Sequence, residues 1–448
     1  MKEQMTYAYA NESQLKRAGS ASEELFLAQY NELNRGNDQC YFWGRLTDPF
    51  ITSKCLIALS NTVKSSFNLS PFQISLLKDP IVTAGNDKVR FEGFSHCASV
   101  YARVDVLPNG HDGEFLENGT TNVDFNQPMI NSLSSIQRKE DVILSVGEKE
   151  VGIHRNTEKT VERKVPLPVK WIKGLTTVQI YLSDTDEHIR LNKLQTIQLF
   201  RSIPKGKVKN DYYLIKRGGQ YSFTPLATKN SICVGGVHRL RLLEPLLPMI
   251  KEMRVFAHEN MQSTTWQLYF GDVKFSFSLS RDPWRGFSGE GAALDMLIED
   301  VPEDWIQRLD NYSYANQSFN PTLLAINNSI ELDQIDNLTS RLAAMGLLGF
   351  DLDDNEYFYR RLPFKLERIL GLNPRIEQAE KLVKERKVVI KERTATRVEA
   401  RVEGSGVHHI VILENGKGKC TCTWFARHRG ERGPCKHILA TKKVIQTS

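Results

Sequence analysis

No stretch of this 448-residue chain approaches the roughly 18 consecutive apolar residues that a membrane-spanning helix requires. The longest candidate, residues 343–350, reads as part of a short buried helix. Met1-Lys2-Glu3-Gln4-Met5-Thr6 leads into polar sequence rather than the apolar core of a secretory signal. Together these absences predict a cytoplasmic protein with no membrane partner. A disulfide framework is missing as well. The seven cysteines are an odd number, and Cys40, Cys55, Cys97 and Cys233 lie singly in apolar surroundings, as buried thiols do. No internal repeat of fixed period is visible.

Catalytic signatures are just as scarce. Gly286-Phe287-Ser288-Gly289-Glu290 misses the nucleophile elbow because Glu290 stands where a glycine is required. Gly289-Glu290-Gly291 lacks the Lys-Ser/Thr of a phosphate-binding loop. Asp351, Asp353, Asp354 and Glu356 crowd one turn, without the spacing or the sixth-position glycine of an EF-hand, and read as a solvated hairpin turn. The ten histidines are scattered and suggest no nucleophile–base set. The expectation is that the protein is not an enzyme.

What is present is a folding composition: 40% apolar, 25% charged and 9% aromatic residues, in a chain long enough for two or three domains of roughly 100–200 residues each. Charge is unevenly spread. Residues 375–448 hold 17 Lys and Arg against 8 Asp and Glu, whereas the remaining 374 residues hold 42 against 45. The basic excess therefore lies entirely in the last sixth of the chain. Such a patch either attracts a polyanion or forms a solvated surface.

Apolar spacing predicts helices over 22–33 and 52–67, then mostly strand from 89 to 180. Residues 99–106 and 142–146 alternate as strands do, and the Gly-, Asn- and Asp-rich segment 107–122 between them reads as an exposed loop. Helices follow over 189–200, over 237–251 with Pro245 and Pro248 inside, over 292–298 and over 303–309. A hairpin fits 265–270 and 273–279. The stretch 310–328, with five Asn and two Ser, reads as a linker. Beyond it a helix over 332–348 precedes a hairpin over 350–362, an order that matches part of a winged-helix unit, and a charged connecting helix covers 375–386. The predicted class is α+β: a mixed body over 1–310, open to division into two subdomains, a helix–hairpin connecting region over 329–374, and a small zinc-stabilised hairpin–helix module over 375–448.

That module carries the one constellation with clear chemistry. Residues 407–413 form a β-branched strand, Asn415-Gly416 is a hairpin turn pair, and 417–423 return with Cys420 and Cys422. Residues i and i+2 of a strand share a face, so these two thiolates converge. Twelve residues later come Cys435-Lys436-His437, just after Gly433-Pro434. Within a helix, i and i+2 diverge, so Cys435 must lie at a helix start, where free N–H groups favour a thiolate and His437 reaches the same point from the first turn. Cys420, Cys422, Cys435 and His437 are thus predicted to form a closed tetrahedral site for one structural Zn²⁺, with no position left for a catalytic water. His428 is a candidate substitute ligand with no second residue to pair with it.

The arrangement Cys420-x-Cys422, a gap of twelve, then Cys435-x-His437 resembles the SWIM-type zinc finger, and Trp424-Phe425 and the run Cys435-Lys436-His437-Ile438-Leu439-Ala440 fit that family too. The longer body is similar to bacterial SWIM-domain proteins associated with MoxR-type AAA+ ATPases and von Willebrand A-domain proteins. The residues carrying this are Phe91-Glu92-Gly93-Phe94-Ser95, the stretch 119–126, and Trp284-Arg285-Gly286-Phe287-Ser288-Gly289-Glu290-Gly291. The resemblance implies binding to DNA or to proteins, and no catalysis.

Two functions remain open. In one, the protein is a scaffold holding protein partners, with an AAA+ ATPase complex among the candidates. In the other, the zinc module binds nucleic acid through Arg427, Arg429, Arg432, Lys436, Lys442 and Lys443, whose phosphate contacts would be salt-dependent and sequence-independent. Trp424 or Phe425 would then be available to stack on an unpaired base, although both also suit the core of so small a module.

Overall fold

A computed structural model describes residues 39–447, apart from 66–79, 157, 168, 207, 259–261, 284–285, 290–301, 361, 363–373, 405, 415–416 and 431, and four short strands before residue 39. The class is α+β: every ladder among the described residues is antiparallel, and the helices pack on the sheets or on one another. No described helix is long and apolar enough to cross a membrane.

An eight-stranded sheet is the centre of the chain, in the order Gly119–Asn122, Ile81–Gly85, Lys88–Phe94, Val100–Val106, Val273–Ser280, Ser263–Tyr269, Glu252–His258 and Thr185–Asn192. Alternation divides its two faces. Val100, Ala102, Val104 and Val106 join Val273, Phe275, Phe277 and Leu279 in the main apolar core, against which the helix Pro49–Lys64 also packs. The opposite face presents Arg90, Glu92, Tyr101, Arg103, Asp105 and Lys274. These residues too are buried, none more than 2% exposed. A second, five-stranded sheet is built on Cys40–Leu46 and Val142–Gly147.

Several sequence expectations are corrected. The described residues of 22–33 are not helical: Ser22–Phe26 pairs with Gln14–Ala18 and Tyr30–Asn31 with Ala8–Tyr9, so partners earlier in the chain override the helical spacing there. The expected loop over 107–122 contains the strands His111–Phe115 and Gly119–Asn122, which border different sheets. Its glycine is needed for close strand pairing, since a Cβ on Gly113 would come within 2.4 Å of Gly44 Cα. The helix expected over 189–200 begins later, at Lys193, where the Asn192 side chain caps it reciprocally with Gln195. The 237–251 segment is a 3₁₀ helix, Val237–Met249, as its two internal prolines allow. The helix expected over 292–298 lies outside the described residues.

The Asn-rich stretch 310–328 is no linker in structure. It lies within α1 (Glu303–Asn316), β1 (Ser318–Phe319) and α2 (Pro321–Asn328). Its asparagines serve helix ends: Asn320 accepts the Leu323 N–H at 3.0 Å, and Asn328 donates to the Leu324 carbonyl at 2.9 Å. Then come α3 (Leu332–Ala344), β2 (Leu348–Asp351) and β3 (Glu356–Tyr359), with β3 pairing both β1 and β2. Helix–strand–helix–helix–hairpin, with the first strand beside the last, is the complete topology of a winged helix. Its helix–turn–helix is α2 and α3, joined by three residues.

The hairpin of this unit, its wing, lies on the charged face of the large sheet. The turn is solvated as read from sequence at Asp353, Asp354 and Asn355, which are exposed, but Asp351 at its start is buried. Asp351 is 1% exposed and lies 3.1 Å from Lys274, 3.3 Å from Lys88, 3.4 Å from Arg103 and 3.8 Å from Arg90. Asp353 pairs with Lys274 at 2.8 Å and with Arg254 at 3.2 Å, and Asp354 pairs with Lys88. Burial alone would raise the Asp351 pKa, but Lys274, Arg103, Lys88 and Arg90 together hold it well below the ordinary carboxylate range. Beside this cluster Arg360 and Glu92, both fully buried, form a second ion pair at 2.7 Å.

Candidate metal centre

The C-terminal module is larger than the predicted hairpin and helix. It comprises α4 (Pro374–Lys384), β4 (Val388–Arg393), β5 (Arg397–Gly404), β6 (Val407–Glu414), β7 (Lys417–Cys420), α5 (Thr423–His428) and α6 (Lys436–Thr447). The four strands form an antiparallel sheet in chain order, and α4 and α6 pack together beside it. In the β6–β7 ladder Glu414 faces Lys417, so a two-residue loop joins them as expected, although residues 415–416 themselves lie outside the described residues.

Each ligand is placed by an element end. Cys420 closes β7, opposite Val411. The strand does not continue to 423 as predicted. Cys422 instead caps α5, its sulfur accepting the Phe425 N–H at 3.4 Å, and the Cys420 sulfur accepts the Cys422 N–H at the same distance. Cys435 immediately precedes α6, with its carbonyl accepting the Leu439 N–H at 3.0 Å, and His437 sits in the first turn. The three sulfurs and one imidazole nitrogen all lie within 4.8 Å of one another. His437 Nδ1 is 3.7 Å from Cys420 Sγ and 4.0 Å from Cys435 Sγ. A tetrahedron with Zn–S bonds of about 2.3 Å has edges of about 3.8 Å, so the spacing suits one ion at the centre. None of the four residues is more than 7% exposed.

The donor set behaves as a metal site should. Hydrogen bonding from the Cys420 thiol, working against burial, lowers the Cys435 pKa to about 4, while Cys420 is pushed up by that same contact and Cys422 by burial. Three sulfurs crowded together cannot all ionise without a cation between them, and a divalent ion supplies it. The cluster fits one structural zinc ion.

Two supporting residues have no signal in the sequence. A Cβ on Gly404 would come within 2.7 Å of His437 Nε2, so the absence of a side chain there makes room for the imidazole. Arg375, at the start of α4, donates to the carbonyls of Arg432 (2.8 Å) and Pro434 (2.9 Å), and its guanidinium lies 4.7 Å from the centre of the Trp424 ring. It thereby braces the loop that delivers Cys435.

His428 is not among the ligands: it packs edge-on against Trp424 at 4.9 Å and lies 3.3 Å from Arg432. The six basic residues proposed for nucleic acid are dispersed over α5, the following loop and α6. Arg427 and Arg429 are exposed, Arg432, Lys436, Lys442 and Lys443 are half-buried, and Lys443 is paired with Glu380 at 2.6 Å. Trp424 and Phe425 are half-buried against the module's core.

Among solved structures, the β sliding clamp of Caulobacter crescentus aligns with 84% of this chain and 86% of its own, at 10% identity and a TM-score of 0.36. The proliferating cellular nuclear antigen of Entamoeba histolytica aligns with 54% of this chain and 98% of its own, at 10% identity and a TM-score of 0.35. Both likenesses are too distant to bear on function. No curated protein matches the chain. Residues 409–445, which contain all four ligands, match the SWIM zinc finger.

Proposed function

We propose that this chain is a cytoplasmic, non-catalytic interaction protein whose zinc-stabilised C-terminal module is a platform for protein partners. The observation that carries the reading is the closure of the metal site. Four buried protein ligands leave the ion no open position, so it holds a surface in shape and offers no Lewis acid to a substrate. Internal use of nearby cations adds support: Lys443 is occupied by Glu380 and Arg375 by the Cys435 loop. The partners proposed from the resemblance of the longer body are a MoxR-type AAA+ ATPase and a von Willebrand A-domain protein. Purified full-length chain, mixed with such a pair from one bacterium and analysed by size-exclusion chromatography, should co-elute with them in a zinc-dependent way. Co-elution that persists unchanged in a Cys435→Ser variant would remove the module from the interaction.

The second reading, nucleic-acid binding, is favoured by the exposure of Arg427 and Arg429 and by the basic excess of the tail. Anisotropy with labelled single- and double-stranded DNA, titrated with salt, separates the two readings. Binding that weakens steeply with salt and vanishes in an Arg427→Ala, Arg429→Ala variant would establish this second function. No binding at low salt excludes it.

A further inference from the structure

The winged helix has the topology of a DNA reader and the wrong chemistry for one. A helix–turn–helix reads DNA by laying the start of its second helix in the major groove while Lys and Arg neutralise phosphates. Here the second helix is α3, and the exposed residues at its start are Glu331, Leu332, Asp333, Gln334, Asp336 and Asn337. Three of the six are carboxylates and none is a cation. The wing, a second element with which such units grip a duplex, is occupied by the large sheet through Asp351, Asp353 and Asp354.

The same surface leaves large apolar side chains in water. Leu323 is 59% exposed and Ile326 66%, one helical turn apart on α2, and Leu332 is 51% exposed at the first position of α3. The residues that α2 does bury, Leu324 and Ala325, already fill its inward side. The three-residue turn between the helices carries the apolar ridge directly to the acidic start of α3.

We propose that the helix–turn–helix face of the winged helix is a protein-docking surface whose occupant is a basic amphipathic helix. Its apolar side covers Leu323, Ile326 and Leu332, and its Lys and Arg residues meet Glu331, Asp333 and Asp336. An apolar ridge explains affinity, because removing exposed apolar surface from water is favourable. The acidic border explains the choice of partner, because it rewards a cationic helix and repels both nucleic acid and acidic helices. This surface is separate from the zinc module, and the two stand or fall independently.

The test uses the full-length protein and a fluorescein-labelled 14-residue amphipathic peptide of Leu and Lys, with a Leu/Glu peptide of the same pattern as its opposite. Anisotropy should show saturable binding of the Leu/Lys peptide at micromolar protein and none of the Leu/Glu peptide. Leu323→Asp with Ile326→Asp should weaken binding at least tenfold, and Asp333→Lys with Asp336→Lys should do the same while permitting the Leu/Glu peptide to bind. All four positions are exposed, so far-ultraviolet circular dichroism and zinc content should be unchanged in both variants. Equal binding of the two peptides, or unchanged Leu/Lys binding in either variant, overturns the proposal. So would salt-sensitive binding of duplex DNA that displaces the Leu/Lys peptide, or a dimer of the chain abolished by Leu323→Asp, since either would assign the face to another occupant.

Discussion

Two polar centres hold tertiary structure in this chain, and they solve opposite problems. At the metal centre, three sulfurs and one imidazole converge with too much potential negative charge and need a cation from outside. At the wing, Lys88, Arg90, Arg103 and Lys274 gather on the face of a buried sheet and need anions, which Asp351, Asp353 and Asp354 deliver from far along the chain, beside the sheet's own Asp105. The first centre folds a module onto an ion. The second joins one folded unit to another. Metal binding can supply on the order of 10–16 kcal/mol to a small module. A buried ion cluster contributes far less net stability, because desolvation consumes most of the Coulombic gain, yet removing one member is costly. The difference teaches that the zinc centre makes its module fold, whereas the wing cluster specifies where the winged helix sits.

The largest effect should come from removing the metal. Cys435→Ser, or chelation of the wild type, is expected to abolish stoichiometric zinc and expose the amides of residues 388–447 to hydrogen exchange. The large sheet over residues 81–280 should stay protected. Loss of protection across both regions would break the distinction. Next in size is Asp351→Ala, which leaves four buried cations without their shared carboxylate and should cost about 3–5 kcal/mol by urea unfolding, with zinc content unchanged. Asp351→Asn should cost less, because the amide still accepts hydrogen bonds.

Acid sharpens the comparison. The folded-state pKa of Asp351 is depressed, so its contribution is complete above the unfolded carboxylate value of about 3.9 and is lost only as pH falls through the lower folded value. Zinc binding needs deprotonated sulfurs and a neutral imidazole, and it is lost in milder acid. Zinc release, read with a chromophoric chelator, should therefore precede separation of the winged helix, read by fluorescence. The reverse order would contradict the assignment of one centre or the other.

Smaller effects test the supports of the zinc centre. Gly404→Val drives a side chain into the His437 ring and should weaken zinc affinity roughly 10- to 100-fold in a competition titration, as outer-shell changes do. Arg375→Ala removes two hydrogen bonds and a contact with Trp424, for about 1–2 kcal/mol of module stability by thermal unfolding and little change in zinc stoichiometry.

The metal ligands were legible because they are local. Cys420 and His437 are 17 residues apart in one hairpin and one helix start, and the spacing of each pair dictates the element that must carry it. The core strand 100–106 was legible from its alternation, but the meaning of its second face was not. Arg103 and Asp105 sit where a one-sided sheet would show polar residues to water, and only the arrival of Asp351, roughly 250 positions later, turns them into buried partners. Likewise the start of α1 and the helix and hairpin after residue 332 were readable, while the rest of the winged helix was hidden in an Asn-rich stretch, where α2 starts on its Asn320 cap.

By itself the sequence determined the zinc ligand set, the α+β class and the faces of the best-patterned helices and strands, because each depends on geometry that repeats within a few residues. Tertiary structure alone decided that Asp351 of the acidic wing is buried against a cationic sheet, that Gly404 and Arg375 shape the metal site, and that the helix–turn–helix faces outward with an apolar, acidic surface. Those outcomes depend on which distant segments meet, and no local period in the chain encodes such a meeting.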